Sequence, residues 1–184
     1  PPVQLERASL RDTRLVFDDR VATPPVVWTL ADVSLDVSAS SLEGPFAFDL
    51  DARLESGGDV DARGEVVPSG TSAGTDARTR ADVALDGFET APLRNYVSAL
   101  TALSGPVDLR AEVRRASADA PLAIDAKASS SALVLSTGDL RAKGGVAAQA
   151  KIEGQGERWS GPFSLDLTRA ELDFANGTMR KAVG

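Results

Sequence analysis

Along most of the chain, apolar and polar residues alternate one for one. Between Phe46 and Glu55 the alternation has no fault: Phe46, Phe48, Leu50, Ala52 and Leu54 fall on one side, with Ala47, Asp49, Asp51, Arg53 and Glu55 on the other. A period of two is the signature of a strand with one dry and one wet face, and its dominance points to antiparallel pairing. Val3 to Leu10 and Arg14 to Asp18 read as two more strands, joined by a polar turn at Arg11-Asp12-Thr13. Pro24-Pro25 cannot donate to a ladder and marks a strand boundary or an edge. Val26 to Ser38 follows, with Val33, Leu35 and Val37 opposing Asp32, Ser34, Asp36 and Ser38.

Gly57-Gly58 is a hairpin signal leading into a strand at Asp59 to Val67. Pro68 to Thr75, rich in Ser, Gly and Thr, reads as an exposed loop, and Arg80 to Leu85 resumes the alternation. Strands are also expected at Val107 to Arg115, Leu122 to Ala128, Ala132 to Ser136, Val146 to Ile152, Phe163 to Leu167 and Ala170 to Phe174, with a tight turn at Asn176-Gly177. One segment breaks the pattern. From Thr90 to Gly105, Leu93, Tyr96, Val97, Leu100 and Leu103 recur at helical spacing, Pro92 suits a first turn and Gly105-Pro106 is a stop. The pattern therefore predicts roughly a dozen strands and one short amphipathic helix near residues 91–103, lying against the sheet.

Three strands open on the same dipeptide: GPFAFDLDARLES from Gly44, GPVDLRAEVRR from Gly105 and GPFSLDLTRAEL from Gly161, spaced by 61 and 56 residues. Repetition on that scale suggests an array of sheet units. Turn chemistry ahead of a strand accounts for Gly-Pro equally well.

Composition narrows the function classes. The 184 residues suffice for one domain with a sizeable core. The expected organisation is one β-rich segment over 1–184, with possible sub-units 1–89 and 104–184 joined by the helix. Aromatic content is only 5% against 42% hydrophobic, so the apolar surfaces are expected to be broad and shallow. A net charge of −7 argues against nucleic acid, whose binding rests on clustered Lys and Arg. With no cysteine, neither a disulfide framework nor a thiolate metal site is available. No apolar run of about 18 residues and no signal-peptide pattern occurs. Starting at Pro1-Pro2, the chain reads as an excerpt of a longer one, so that any anchor would lie outside these residues.

Candidate chemistry is sparse. Gly70-Thr71-Ser72-Ala73-Gly74 matches the G-x-S-x-G elbow, yet the chain has no His to take a serine proton. Asp49 with Asp51, and Asp59 with Asp61, stand at i, i+2 on a strand face, a spacing that suits a hydrolytic pair or a calcium ion. Every polar face carries the same mixture of Asp, Glu, Arg and Ser, so a solvated face explains them better. Asn176-Gly177-Thr178 fits a glycosylation sequon and equally a turn. No catalytic, metal or cofactor site is assigned, and the chain is not expected to be an enzyme.

The stretch RLVFDDRVATPPVVWTLADVSLDVSASS, Arg14 to Ser41, resembles the AsmA-like envelope proteins of Gram-negative bacteria: an aromatic plus Asp (Phe17-Asp18), a Pro pair, then an L-x-D/N-V/I-x-L-x-V strand (Leu30 to Val37). GGDVDARGEVVP, Gly57 to Pro68, is similar to a hairpin of that family. DVALDGFETAPLRNYVSALTALSGPVDLRAEV is similar to its strand, short helix with a Tyr, Gly turn and return strand. The tail LDLTRAELDFANGTMRKAVG resembles a recurrent ending, departing from it where Ala-Val-Gly follows Lys181.

The resemblance implies a mainly β fold, a long antiparallel sheet curled into a half-pipe or β-groove, polar outside and apolar inside. It further implies a periplasmic protein tethered to the inner membrane, conducting phospholipid between inner and outer membranes and supporting envelope integrity and outer-membrane biogenesis. Its partners would be phospholipid acyl chains, neighbouring segments of the same chain, and both membranes through parts outside these residues. On that reading Phe46, Phe48, Leu50, Leu54, Val107, Leu109, Val113, Phe163, Leu165 and Leu167 line the lipid groove. The alternation alone is also compatible with a closed β-sandwich acting as a structural or adhesion module, in which two dry faces form a core.

Overall fold

Residues that alternate in sequence must point to opposite faces of a strand, and this chain applies that rule to a single sheet. The computed structural model describes residues 6–39, 44–68, 78–117, 119–156, 158–174 and 177–180. Its strands are β1 (Arg7–Asp19), β2 (Val26–Ala39), β3 (Phe46–Leu54), β4 (Asp59–Val67), β5 (Arg78–Glu89), β6 (Ala102–Ser104), β7 (Pro106–Arg115), β8 (Leu122–Thr137), β9 (Leu140–Gln155), β10 (Arg158–Ser160), β11 (Phe163–Phe174) and β12 (Gly177–Arg180). They form one antiparallel sheet in the order β1-β2-β3-β4-β5-β7-β8-β9-β11-β12, with β6 alongside β8 and β10 alongside β9. The path is a meander, each strand pairing with its successor. The hairpin expected at Gly57-Gly58 joins β3 to β4, with the Leu54 amide donating to the Gly58 carbonyl at 2.8 Å.

Several expected boundaries are corrected, and one device accounts for most of them. Arg11-Asp12-Thr13 is no turn between two strands; β1 runs through it, with register shifts between Leu10 and Leu15 and Asp12 at φ 49°. β8 fuses the two strands expected on either side of residues 129–131, and β11 fuses those on either side of Thr168-Arg169. β2 and β5 contain the same kind of shift, between Ala31 and Ser34 and between Leu85 and Phe88. Each is a bulge, in which an extra residue bends the strand and restores the same face afterwards.

The helix expected near 91–103 is a single 3-10 helix, Ala91–Tyr96, which buries none of its own residues. Leu103 joins the sheet instead, opposite Leu135, because a three-residue strand there completes the ladder of β8. The sheet is not strongly curled, which corrects the expected half-pipe to a flatter, open sheet. The Gly-Pro echoes are not equivalent repeat units. β3 and β11 run in one direction across the sheet and β7 in the other. Two of the copies nevertheless share a role. Gly105-Pro106 breaks the edge between β6 and β7 along β8, and Gly161-Pro162 breaks it between β10 and β11 along β9. Gly105 takes φ 118° and Gly161 φ 150°, and a Cβ at either would strike the backbone of the adjacent strand.

Candidate functional site

The register connects the alternating strands into apolar rungs that cross almost the whole sheet. Leu10, Leu35, Leu50, Ala62, Val83, Ala111, Ala126, Ala150 and Phe163 are successive cross-strand partners over nine strands. The next rung reads Ala8, Val37, Phe48, Gly64, Ala81, Val113, Ile124 and Ile152. On the other side lies Ala52, Val60, Leu85, Leu109, Ala128, Ala148 and Leu165. Directly paired residues share a face, so these rungs make one apolar surface. With strands about 4.8 Å apart, nine of them give a width of about 40 Å.

All ten residues expected to line a groove lie on this face. Phe46, Phe48, Leu50 and Leu54 come from β3, Val107, Leu109 and Val113 from β7, and Phe163, Leu165 and Leu167 from β11. The structure adds residues that the sequence reading did not single out. Trp28, Phe88, Ile124 and Ile152 share the face, as do the alanines of β8 and β9 that floor its middle. The missed signal was a jump in the alternation, from Trp28 and Leu30 to Val33 and Leu35 and from Val83 and Leu85 to Phe88, which a bulge produces.

Among the described residues no second sheet or long helix packs over this face, although its own neighbouring side chains enclose Val33. Every extensive contact between elements joins hydrogen-bonded neighbours in the sheet, apart from the 3-10 helix against β6. There is no second sheet opposite, as a sandwich requires. Among the described residues Val33 is the one large side chain that is fully buried, whereas Phe17 is 64% exposed and Phe163 66%. The most exposed apolar side chains of the face are on β1 and β11, near its two margins.

One end of the face is capped. Beyond the β3–β4 hairpin, Trp28 and Phe88 come together with ring centroids 5.8 Å apart. The Trp28 Nε1–H donates to the Tyr96 hydroxyl at 3.0 Å, which donates to Asp19 Oδ2 at 2.6 Å, and the Thr23 amide donates to the Asn95 carbonyl at 2.9 Å. The Tyr96 hydrogen bond holds the Asp19 carboxyl below its ordinary range, and Asp19 in turn raises the phenol. Ala22, Val26, Leu54, Phe88 and Thr90, all buried, sit at this end. Four of the buried apolar side chains therefore gather at this end, while Val33, Ala52, Ala81 and Ala170 are buried elsewhere in the sheet.

The opposite face is a lattice of charge. Ser9, Asp36, Asp49, Arg63, Asp82, Glu112, Asp125 and Lys151 form one polar rung. Ion pairs knit it laterally, among them Arg7 and Arg11 to Asp36, Arg63 to Asp49, Arg110 to Asp86 and Lys151 to Asp125. Hydrogen bonds from Ser9, Arg11 and Arg7 hold the Asp36 carboxyl far below its ordinary range.

The carboxylate pairs considered for chemistry lie here. Asp49 is engaged by Arg63 at 3.2 Å, and Asp51 stands directly opposite Asp61, whose hydrogen bond pushes the Asp51 carboxyl up. A depression of about 670 Å³ beside them is lined by Asp61, Asp82, Glu112 and Asp125 and by Arg63, Arg110, Lys127 and Lys151, four acids against four bases. No group of acidic residues arranged to hold a metal ion occurs among the described residues. The G-x-S-x-G match around Ser72 and the Asn176 side of the sequon lie outside the described residues. Comparison of the chain with family models, curated proteins and solved structures finds no match.

Proposed function

We propose that the chain is a lipid-binding segment of a periplasmic AsmA-like protein, one that binds or conducts phospholipid between the inner and outer membranes and so supports envelope integrity. The observation that carries the reading is the continuous apolar face over nine strands with no protein layer upon it. An uncovered face of that width is costly in water, at about 25 cal/mol for each Å² of apolar surface. Monomeric proteins rarely expose more than a few hundred Å² in one patch, and larger patches mark interaction sites. Acyl chains suit the surface because its central rungs are apolar from strand to strand, and each CH₂ moved from water onto it gains up to about 0.8 kcal/mol.

The charged face stays in water, and the exposed apolar margins at β1 and β11 suit neighbouring segments of the same longer chain, which would extend the apolar surface. Transport then needs no catalytic group, only a path along which tails stay out of water. The test is to purify the segment from the periplasm of a Gram-negative host and analyse bound lipid by native mass spectrometry. Phospholipid retained in a defined ratio is the expected result. A lipid-free monomer that also takes up no phospholipid from vesicles would overturn the reading.

A further inference from the structure

A second feature lies on the charged face, away from the apolar rungs. β8 and β11 each bulge where they flank β9, the first at Ser131-Ala132 and the second at Arg169-Ala170. Between them β9 presents Gly144-Gly145, with no side chain. The result is a depression of about 560 Å³ whose lining includes Ser130, Ser131 and Thr168 and the cations Lys143 and Arg169. Glu171, directly opposite Lys143, is the acid on its rim.

Three observations separate this place from the rest of the face. The first is that the floor on this side, Gly145, leaves no room for a side chain: a Cβ there would sit 2.6 Å from Thr168 Oγ1. Second, most strand cations of the face are ion-paired, whereas Lys143 and Arg169 have no ion-pair partner among the described residues. Third, Arg169 adopts φ 50°. Asp12 and Asp32 do the same at other bulges, but Asp enters the left-handed region several-fold more readily than Arg. An arginine in the left-handed region beside a lysine with no ion-pair partner, over a glycine of β9, points to a ligand, because such conformations concentrate where a side chain must be aimed.

We infer that this depression binds a phosphate group, with Lys143 and Arg169 neutralising it and the hydroxyls of Ser131 and Thr168 donating to its oxygens. Ser130 Oγ already accepts from the Ala132 amide at 3.3 Å, which holds the β8 bulge in shape. A phosphate monoester at the head of a lipid and free inorganic phosphate present the same oxygens.

The test is a titration of the ¹⁵N-labelled protein with inorganic phosphate and, separately, with dihexanoyl phosphatidic acid below its micelle concentration. Saturable shifts at the Gly144, Gly145 and Thr168 amides are expected. Tighter binding of the lipid assigns a headgroup, and equal binding assigns free phosphate. Arg169→Gly relieves the backbone strain, so it folds at least as well as the parent. It is expected to weaken binding about tenfold, as loss of one charge-assisted hydrogen bond does, and Lys143→Gln is expected to do likewise. Shifts that do not saturate, or that persist unchanged in both variants, would overturn the inference. Acyl-chain capture on the opposite face is read separately and is unaffected by either outcome.

Discussion

A lysine placed on the apolar face reports directly whether that face is open. Leu50 and Val33 lie on adjacent strands and on the same side of the sheet, yet Leu50 is half-buried while Val33 is fully buried. At Leu50 a lysine keeps part of the aliphatic contact through its stem and carries its ammonium into water. Complete burial of a leucine contributes about 1.5–3 kcal/mol, so losing part of that at a half-covered position amounts to about 1 kcal/mol. At Val33 the ammonium has no route to solvent, and an unpaired buried charge costs several kcal/mol. Leu50→Lys is therefore expected to lower the urea unfolding free energy by about 1 kcal/mol and Val33→Lys by about 3 kcal/mol or more. The comparison is made on lipid-free protein, with the slope of each transition checked for two-state behaviour. A loss of about 3 kcal/mol at Leu50 as well would refute the reasoning, because it would mean that something covers the face.

Other outcomes follow from individual contacts. Gly64→Ala, ordinarily a gain of about 0.5–1 kcal/mol inside a strand, is expected to destabilise by about 1 kcal/mol or more, since the new methyl would sit 2.8 Å from Phe48 Cζ and 2.9 Å from Ala81 Cα; chemical unfolding measures the sign. Asp36 titrates below its unfolded value because Ser9, Arg11 and Arg7 bond its carboxylate. Its contribution is complete above the unfolded value near 4 and is lost as pH falls below it, so Asp36→Asn is expected to flatten the fall in melting temperature between about pH 5 and 2. Asp51 is shifted the opposite way by Asp61. A raised carboxyl makes the folded state less stable once both groups ionise, and Asp61→Asn is expected to raise the melting temperature at pH 7 while leaving it unchanged in acid.

Much of the sheet was legible because alternation and turn chemistry are local. Asp59–Val67 and the Gly57-Gly58 hairpin are where the pattern places them, since one strand face, one turn and the next strand determine each other within a few residues. The bulges were not legible. An odd polar residue between two alternating runs reads the same whether the chain turns there or inserts one residue and continues, and only the neighbouring strand decides, as at Asp12 and Arg169. The segment after Tyr96 misled for a similar reason: Leu100 and Leu103 fit a helical period, but the free ladder of β8 recruits Leu103.

Of the candidate site, period alone puts the chosen residues of each strand on one side of that strand, and the register then joins those of β3, β7 and β11 into one face. Whether that face is open or covered left no trace in the sequence, because alternation records which side is dry and not what keeps it dry. The phosphate depression was invisible for another reason: Lys143, Gly145 and Arg169 are brought together by pairing across β9, not by spacing along the chain.

Site-specific photo-crosslinking in living cells tests the central claim most directly, with a photoreactive residue placed in turn at Phe48 and Val107 on the apolar face and at Asp49 and Arg110 on the charged one. The account predicts phospholipid adducts at the first two positions and none at the others. Adducts only to protein at Phe48 and Val107, or lipid adducts equally on both faces, would contradict it.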